Sequence, residues 1–244
     1  QDLVELVDSI RPFLDQHEVN IWSFGEHPDA SLQLLSYQAA AGLTSSEIKY
    51  KNRIYQLKLI IPGKFNVYNA LAAVLACEVA GVSIEDSIAA LAEFRSTMRR
   101  FEYVGEKNGV RFYDDYAHHP NEVAAVIQAI QEWYPERRVV IAFQSHTFSR
   151  TKQLFTEFVA AFAQASEVAM IDIFPSAREA FDPSVTSEQL CSAITTAHPT
   201  CWAQNYHTLE KLATYLQTSL KPGDVCLTVG AGDIYQVHGL IKNE

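Results

Sequence analysis

Apolar positions change period along the chain, and the change divides it into two parts. Residues 3–14 carry helix-like apolar spacing with Pro12 near the end. Residues 19–24 form a strand-like run that Gly25 closes, and residues 32–37, 47–50 and 53–61 read as further strands. The last two are joined by the polar pair Lys51-Asn52, which suits a hairpin. After Pro62-Gly63 the period becomes helical. An Ala- and Leu-rich helix is predicted over 66–80, stopped by Gly81, and a second from Ser83, its expected cap, to about Phe94.

Beyond residues 96–100 strands and helices alternate. Strands are predicted at 110–113, 139–143, 168–174 and 224–229. The helix after Pro120 lines up Val123, Val126, Ile127, Ile130 and Trp133, and another aligns Phe155, Phe158, Val159 and Phe162. Two more are expected at 187–197 and around Leu209, Leu212, Leu216 and Leu220. Apolar strands alternating with amphipathic helices specify an α/β fold with a mostly parallel sheet covered on both faces. Such sheets bind ligands beyond the C-terminal ends of their strands. The segments to inspect are therefore 114–120, 144–150, 175–179 and 230–233.

Composition narrows the function classes. With 48% hydrophobic and 20% charged residues the 244-residue chain has the balance of a globular protein. Its formal charge of −10 argues against nucleic acid as a partner, because phosphate backbones demand clustered Lys and Arg. No apolar run approaches the ~18 residues needed to cross a membrane. Cys77, Cys191, Cys201 and Cys226 show no C-x-x-C pairing, which fits free thiols of the cytoplasm better than a disulfide framework. The chain starts at Gln1 without an initiator Met or signal-peptide pattern, so a processed or excised piece is expected.

The segments after the strands are rich in reactive groups. Asp114, Asp115, Tyr116, His118 and His119 precede Pro120. They could serve a ligand, cap the following helix or bind a metal, although adjacent histidines point in different directions. His146 and Arg150 follow the strand at 139–143, and a guanidinium fork suits a carboxylate or phosphate. An Arg near a helix start opposes the helix dipole, which favours a ligand role over a merely exposed one. Asn66 and Asn69 lie three apart at a helix start, where Asn66 could cap and Asn69 could face solvent or an adenine edge. Gly230-Ala231-Gly232-Asp233 lacks the third glycine of a dinucleotide fingerprint, and only eleven residues follow. It reads as a tight turn that lets the backbone approach a neighbour.

As a set these motifs resemble the Mur ligase family. Gly63-Lys64-Phe65-Asn66-Val67-Tyr68-Asn69-Ala70 is similar to the end of the family's ATPase domain, and Met98-Arg99-Arg100-Phe101-Glu102 to its linker. Asp114-Asp115-Tyr116-Ala117-His118-His119-Pro120, Phe143 to Thr151, Asp172-Ile173-Phe174, Ala177-Arg178-Glu179 and Gly230 to Asp233 resemble its alanine-adding branch. Residues 1–97 then correspond to the C-terminal part of the central ATP-binding domain. Residues 98–244 correspond to the Rossmann-like C-terminal domain. The resemblance implies a cytoplasmic, ATP-dependent ligase. The lactyl carboxylate of UDP-N-acetylmuramate is phosphorylated, and L-alanine attacks the acyl phosphate. Asn69 resembles the residue contacting adenine, Arg100 the arginine near the phosphates and ribose, and Asp115 the carboxylate holding the ribose hydroxyls. Tyr116 and His118 resemble residues beside the amino acid, His146 and Arg150 those meeting its carboxylate, and His119 a support of the loop. Phe65 stands where the alanine-adding branch usually has His, Ser145 where Pro is usual, and Phe174 where Tyr is usual.

The phosphate loop G-x-x-x-x-G-K-[ST] is not in this sequence. It is expected upstream of Gln1, together with the ligands of Mg2+, and the chain alone is expected to be inactive. Two other readings stand beside the alanine ligase. One is the sister ligase that attaches a recycled tripeptide to the same UDP-sugar. The other is a non-catalytic nucleotide-binding module. The segment from Gln144 to Arg150 favours alanine addition.

Overall fold

The computed structural model describes residues 2–40, 42–177 and 179–241, with side chains from residue 6 onward. Arg178 of the sequence motif, like Gln1, lies outside the described residues. In the first part α1 (Asp2–Gln16) precedes a sheet ordered β1 (Phe24–Gly25), β2 (Leu32–Ala40), β3 (Leu43–Tyr50) and β4 (Arg53–Leu59). The pair β1–β2 is parallel and the others are antiparallel. Tyr50 pairs with Arg53 across the expected two-residue turn, with Lys51 at φ 53°. Helices α2 (Lys64–Val79) and α3 (Ile84–Leu91) cover this sheet. Leu32, Ile48, Leu57 and Leu59 pack against Val67, Leu71 and Val74, all nearly without solvent contact.

The second part is a six-stranded sheet. Its strands are β5 (Glu102–Lys107), β6 (Val110–Asp115), β7 (Val139–Phe143), β8 (Glu167–Met170), β9 (Trp202–Asn205) and β10 (Val225–Val229). They stand in the order β5-β6-β10-β7-β8-β9, and only β5 runs antiparallel. Helices α4 (Pro120–Trp133), α5 (Phe148–Gln153), α6 (Phe155–Ala161), α7 (Ser187–Ala197), α8 (Leu209–Ser219) and α9 (Val237–Leu240) complete the layers. The strands β6, β10 and β7 are buried over most of their length, and a separate core fills each face. This is the expected α/β architecture.

The chain visits β6 and β7 first and returns to place β10 between them. That brings the loops after three strands side by side at one sheet end, as the switch point of an open parallel sheet does.

Several boundaries differ from expectation. Of residues 19–24 only Phe24 is in a strand, because β1 is an edge whose ladder partners are Leu32 and Gln33 alone. The strand expected to reach Phe174 stops at Met170. Beyond it Phe174 bridges His146 and takes the hydrogen bond of Thr147 N–H at 2.9 Å. The edge strands β5 and β9 were not expected, since neither carries a run of apolar residues. Leu154, at φ −109°, separates α5 from α6.

Candidate active site

A cleft of about 810 Å³ opens between α2, α4 and the linker that joins the two parts. Helix α2 contributes Phe65, Asn66 and Asn69. The helix begins at Lys64 after Gly63, with no side-chain cap, so Asn66 is not the expected cap. Its amide instead turns back to the Pro62 carbonyl at 2.7 Å, and its oxygen accepts from the Asn69 amide at 3.3 Å. Asn69 is exposed, so its own carbonyl and second N–H face the cleft with a donor and an acceptor side by side.

Arg100 reaches the cleft from the linker and Asp115 from the end of β6. Asp115 is 2% exposed. Its two oxygens accept the N–H groups of Ala117 and Phe101, each at 2.7 Å. Burial pushes its carboxyl up to about 6, against the pull of those two N–H donors and of Arg100. Arg100 therefore faces a carboxylate already fixed by backbone.

The other wall carries Asn121 and Glu122 from the first turn of α4. His119 is the N-cap: its Nδ1 accepts from Asn121 N–H at 3.3 Å, while Glu122 returns to the His119 N–H at 3.2 Å. This capping box assigns His119 to the loop support expected of it, and leaves the carboxylates of Asp114 and Asp115 out of the cap. Glu122 also accepts from the His118 N–H at 3.0 Å. Burial would raise its pKa, but those N–H groups and the nearby His118 and Arg100 hold it below the usual carboxylate range.

Glu122 links the cleft to a second group of side chains. His118 Nδ1 lies 3.6 Å from its carboxylate, and the His118 ring meets Tyr116 edge to face at 5.5 Å. His146 stacks on Phe174 with centroids 5.7 Å apart. Burial, then the charges of Arg150 and His118, hold the His146 imidazole below its usual range. Nδ1 of His146 and one terminal nitrogen of Arg150 are buried with no hydrogen-bond partner. Unpaired buried polar atoms are rare in folded proteins, and two at one sheet end suit a ligand with anionic oxygens.

Sequence reasoning picked out Arg100 but passed over its neighbour. Arg99 pairs with Asp114 at 2.8 Å, and its fork donates to the carbonyls of Gly230 and Gly232 at 2.5 and 3.3 Å. A Cβ at Gly230 would sit 2.5 Å from the Gln144 carbonyl, and one at Gly232 would collide with the Gln144 side chain. The turn is the close backbone approach expected of it. Asn121 and Glu122 were also missed, although Glu three residues after His119 is a legible capping signal.

Among the described residues one group could hold a metal: Asp172, Glu188 and His207, all exposed. Asn205 fills its centre, donating its amide to both carboxylates at 2.7 Å. A donor there and no place in the cleft make the group a poor fit for the expected Mg2+.

Comparison with known proteins agrees with this layout. Residues 99–232 match the Mur ligase, glutamate ligase domain, and residues 5–77 match the Mur ligase middle domain. The UDP-N-acetylmuramate–L-alanine ligase of Clostridium kluyveri is 38% identical over 226 residues, covering 92% of this chain and 49% of that protein. The solved UDP-N-acetylmuramate–alanine ligase of Thermotoga maritima superposes with a TM-score of 0.75 at 25% identity, over 92% of this chain and 48% of that one. A MurF ligase of the same organism, solved with ADP, shares the fold at a TM-score of 0.69 and 21% identity, over 94% and 51% of the two chains. The chain spans about half the length of the curated relatives it matches. Among the described residues no helix is long and apolar enough to cross a membrane. With the matched domain covering more than half of its residues, the chain belongs to the Mur ligase family.

Proposed function

We propose that this chain is the nucleotide-closing and amino-acid-binding half of a cytoplasmic ligase that joins L-alanine to UDP-N-acetylmuramate with ATP. Residues 1–97 form the C-terminal part of its central ATP-binding domain, and residues 98–244 form the domain that closes on it. The observation that carries the reading is the adjacency of two sites. The cleft of Asn69, Arg100 and Asp115 meets the His118, His146 and Arg150 group through Glu122. A nucleotide in the first therefore lies beside an amino acid in the second. The four unpaired cysteines suit a reducing compartment.

In this reading Asn69 pairs with the adenine edge, Arg100 faces the phosphates, and Asp115 accepts the ribose hydroxyls. Phe65 packs on the base face. The lactyl carboxylate takes the γ-phosphoryl group, and the amine of alanine displaces it to form the amide. Arg150 holds the alanine carboxylate with His146 beside it. His118, oriented by Tyr116 and Glu122, receives the ammonium proton or positions the amine. Among the described residues no ligand set fits the magnesium that the family reaction implies.

Asp115→Asn and Asn69→Ala in the full-length natural protein should raise the KM for ATP roughly ten- to a hundredfold, as loss of a charge-assisted hydrogen bond does. The KM for alanine should stay near normal. A raised alanine KM with an unchanged ATP KM would reverse the assignment of the cleft. The tripeptide-adding ligase is the other outcome, distinguished by which acceptor the enzyme prefers.

A further inference from the structure

One guanidinium joins three segments that are distant in sequence. Arg99 sits in the linker with only 18% of its side chain exposed. Its Nε donates to Asp114, at the end of β6, and its fork reaches the Gly230 and Gly232 carbonyls beyond β10. The rings of Tyr116 and Tyr235 lie 4.8 and 4.5 Å from its charged carbon. Its own carbonyl accepts the Tyr116 N–H at 2.8 Å.

Behind it, Asp114 is fixed in turn. Thr228 donates to the second Asp114 oxygen at 2.5 Å and lies 2.9 Å from the buried His238 Nε2. The Thr228 hydroxyl has one proton, and a carboxylate can only accept. With that proton on the Thr228–Asp114 bond, which the Tyr113 carbonyl flanks at 3.2 Å, His238 Nε2 donates to the Thr228 oxygen, and the contacts run His238–Thr228–Asp114–Arg99. Arg99 also holds a left-handed backbone, at φ 58°, which a non-glycine residue keeps only when its contacts impose it.

We propose that Arg99 is a positioning residue that locks the linker, the 114–118 loop and the 230–233 turn together, so that Arg100 in the cleft and Tyr116 at the acceptor group are set by one side chain. The inference rests on the ligase reading for its kinetic consequence only. Lysine supplies one point charge to Asp114 but neither the fork nor the planar face.

The test uses Arg99→Lys and Arg99→Ala in the full-length natural protein. The first readout is amide hydrogen exchange, which needs no activity. Arg99→Lys should speed exchange about tenfold or more in residues 96–101, 114–118 and 230–233 together, with β7 and α7 unchanged. Acceleration confined to 96–101 would overturn the proposal, because the lock would not reach the other two segments. The second readout is kinetic. The KM values for ATP and for the amino acid should rise together, by roughly ten- to a hundredfold, as both sites lose alignment. A fall in kcat alone, with both KM values unchanged, would also overturn it. If the wild type cleaves no ATP in response to an amino acid, the ligase reading falls, and the exchange pattern still decides the role of Arg99.

Discussion

Two buried groups give the protein opposite responses to pH. Asp115 has its carboxyl raised from 3.8 to about 6, chiefly by burial. The folded state therefore holds a proton that the unfolded state has released. This stability is fully present below pH 3.8 and is lost as pH rises through 6, to the extent of about 3 kcal/mol. His238 is lowered from 6.5 to about 4, first by burial and then by Lys107. Its contribution is present above pH 6.5 and is lost as pH falls through 4, by a similar amount of about 3 kcal/mol. Between pH 4 and 6 the two tilts oppose each other. Denaturant midpoints measured across this window should therefore tilt in opposite directions in the two variants. Asp115→Asn should gain stability with rising pH relative to wild type, and His238→Gln should lose it. The amide in Asp115→Asn also faces a backbone N–H with a donor, so the variant is less stable throughout; the slope is what tests the assignment. Parallel slopes in both variants and the wild type would show that neither group is held as the structure places it.

At the scale of elements, the start of α4 does structural and chemical work together. Its Glu122 satisfies the N–H groups of His118 and His119 and turns a carboxylate toward the His118 ring. Glu122→Gln should keep the cap, as Gln189 does in the corresponding box of α7. Glu122→Ala should cost about 1–2 kcal/mol of stability, read as a lower denaturation midpoint. Equal midpoints for the two variants would contradict the capping role. In the core of the same helix Ile130 has no solvent contact, and Ile130→Ala should cost about 2–5 kcal/mol in the same measurement. That face was legible in the sequence because Val123, Val126, Ile127, Ile130 and Trp133 repeat at helical spacing. α7 lies at the ends expected for it, and in the structure Thr186 and Gln189 form its capping box. The edge strands β5 and β9 were not legible, because an edge is formed by its neighbour's hydrogen bonds and needs no apolar run of its own. The site divided in the same way. Asp115, His118, His146 and Arg150 stand out as reactive groups directly after strands. Arg99 acts through Asp114, Gly230 and Gly232, up to 133 residues away, and nothing in its local sequence reports those contacts.

For the whole molecule, the contact between the two parts is decisive. Tyr37 in β2 donates to Glu132 on α4 at 2.9 Å, a hydrogen bond between the two parts. Burial, and then the Glu132 carboxylate, push the Tyr37 phenol well above its usual range, so it remains the donor. Tyr37→Phe removes this hydrogen bond and should broaden the distance distribution between labels on β2 and α4. A bond to a charged acceptor is worth about 1.5–3 kcal/mol, enough to shift an open–closed balance roughly tenfold or more. The most direct test of the proposed function is an acceptor comparison on the full-length natural protein. Phosphate release from ATP with UDP-N-acetylmuramate would be followed with L-alanine or a tripeptide as acceptor, in wild type, Arg150→Ala and Arg150→Lys. L-alanine should be preferred, and Arg150→Ala should raise its KM strongly with the KM for ATP near normal. Lysine should restore only part of the loss, since a point charge does not reproduce the fork. Preference for the tripeptide, or an alanine KM indifferent to Arg150, would contradict the assignment of this half as an alanine-binding domain.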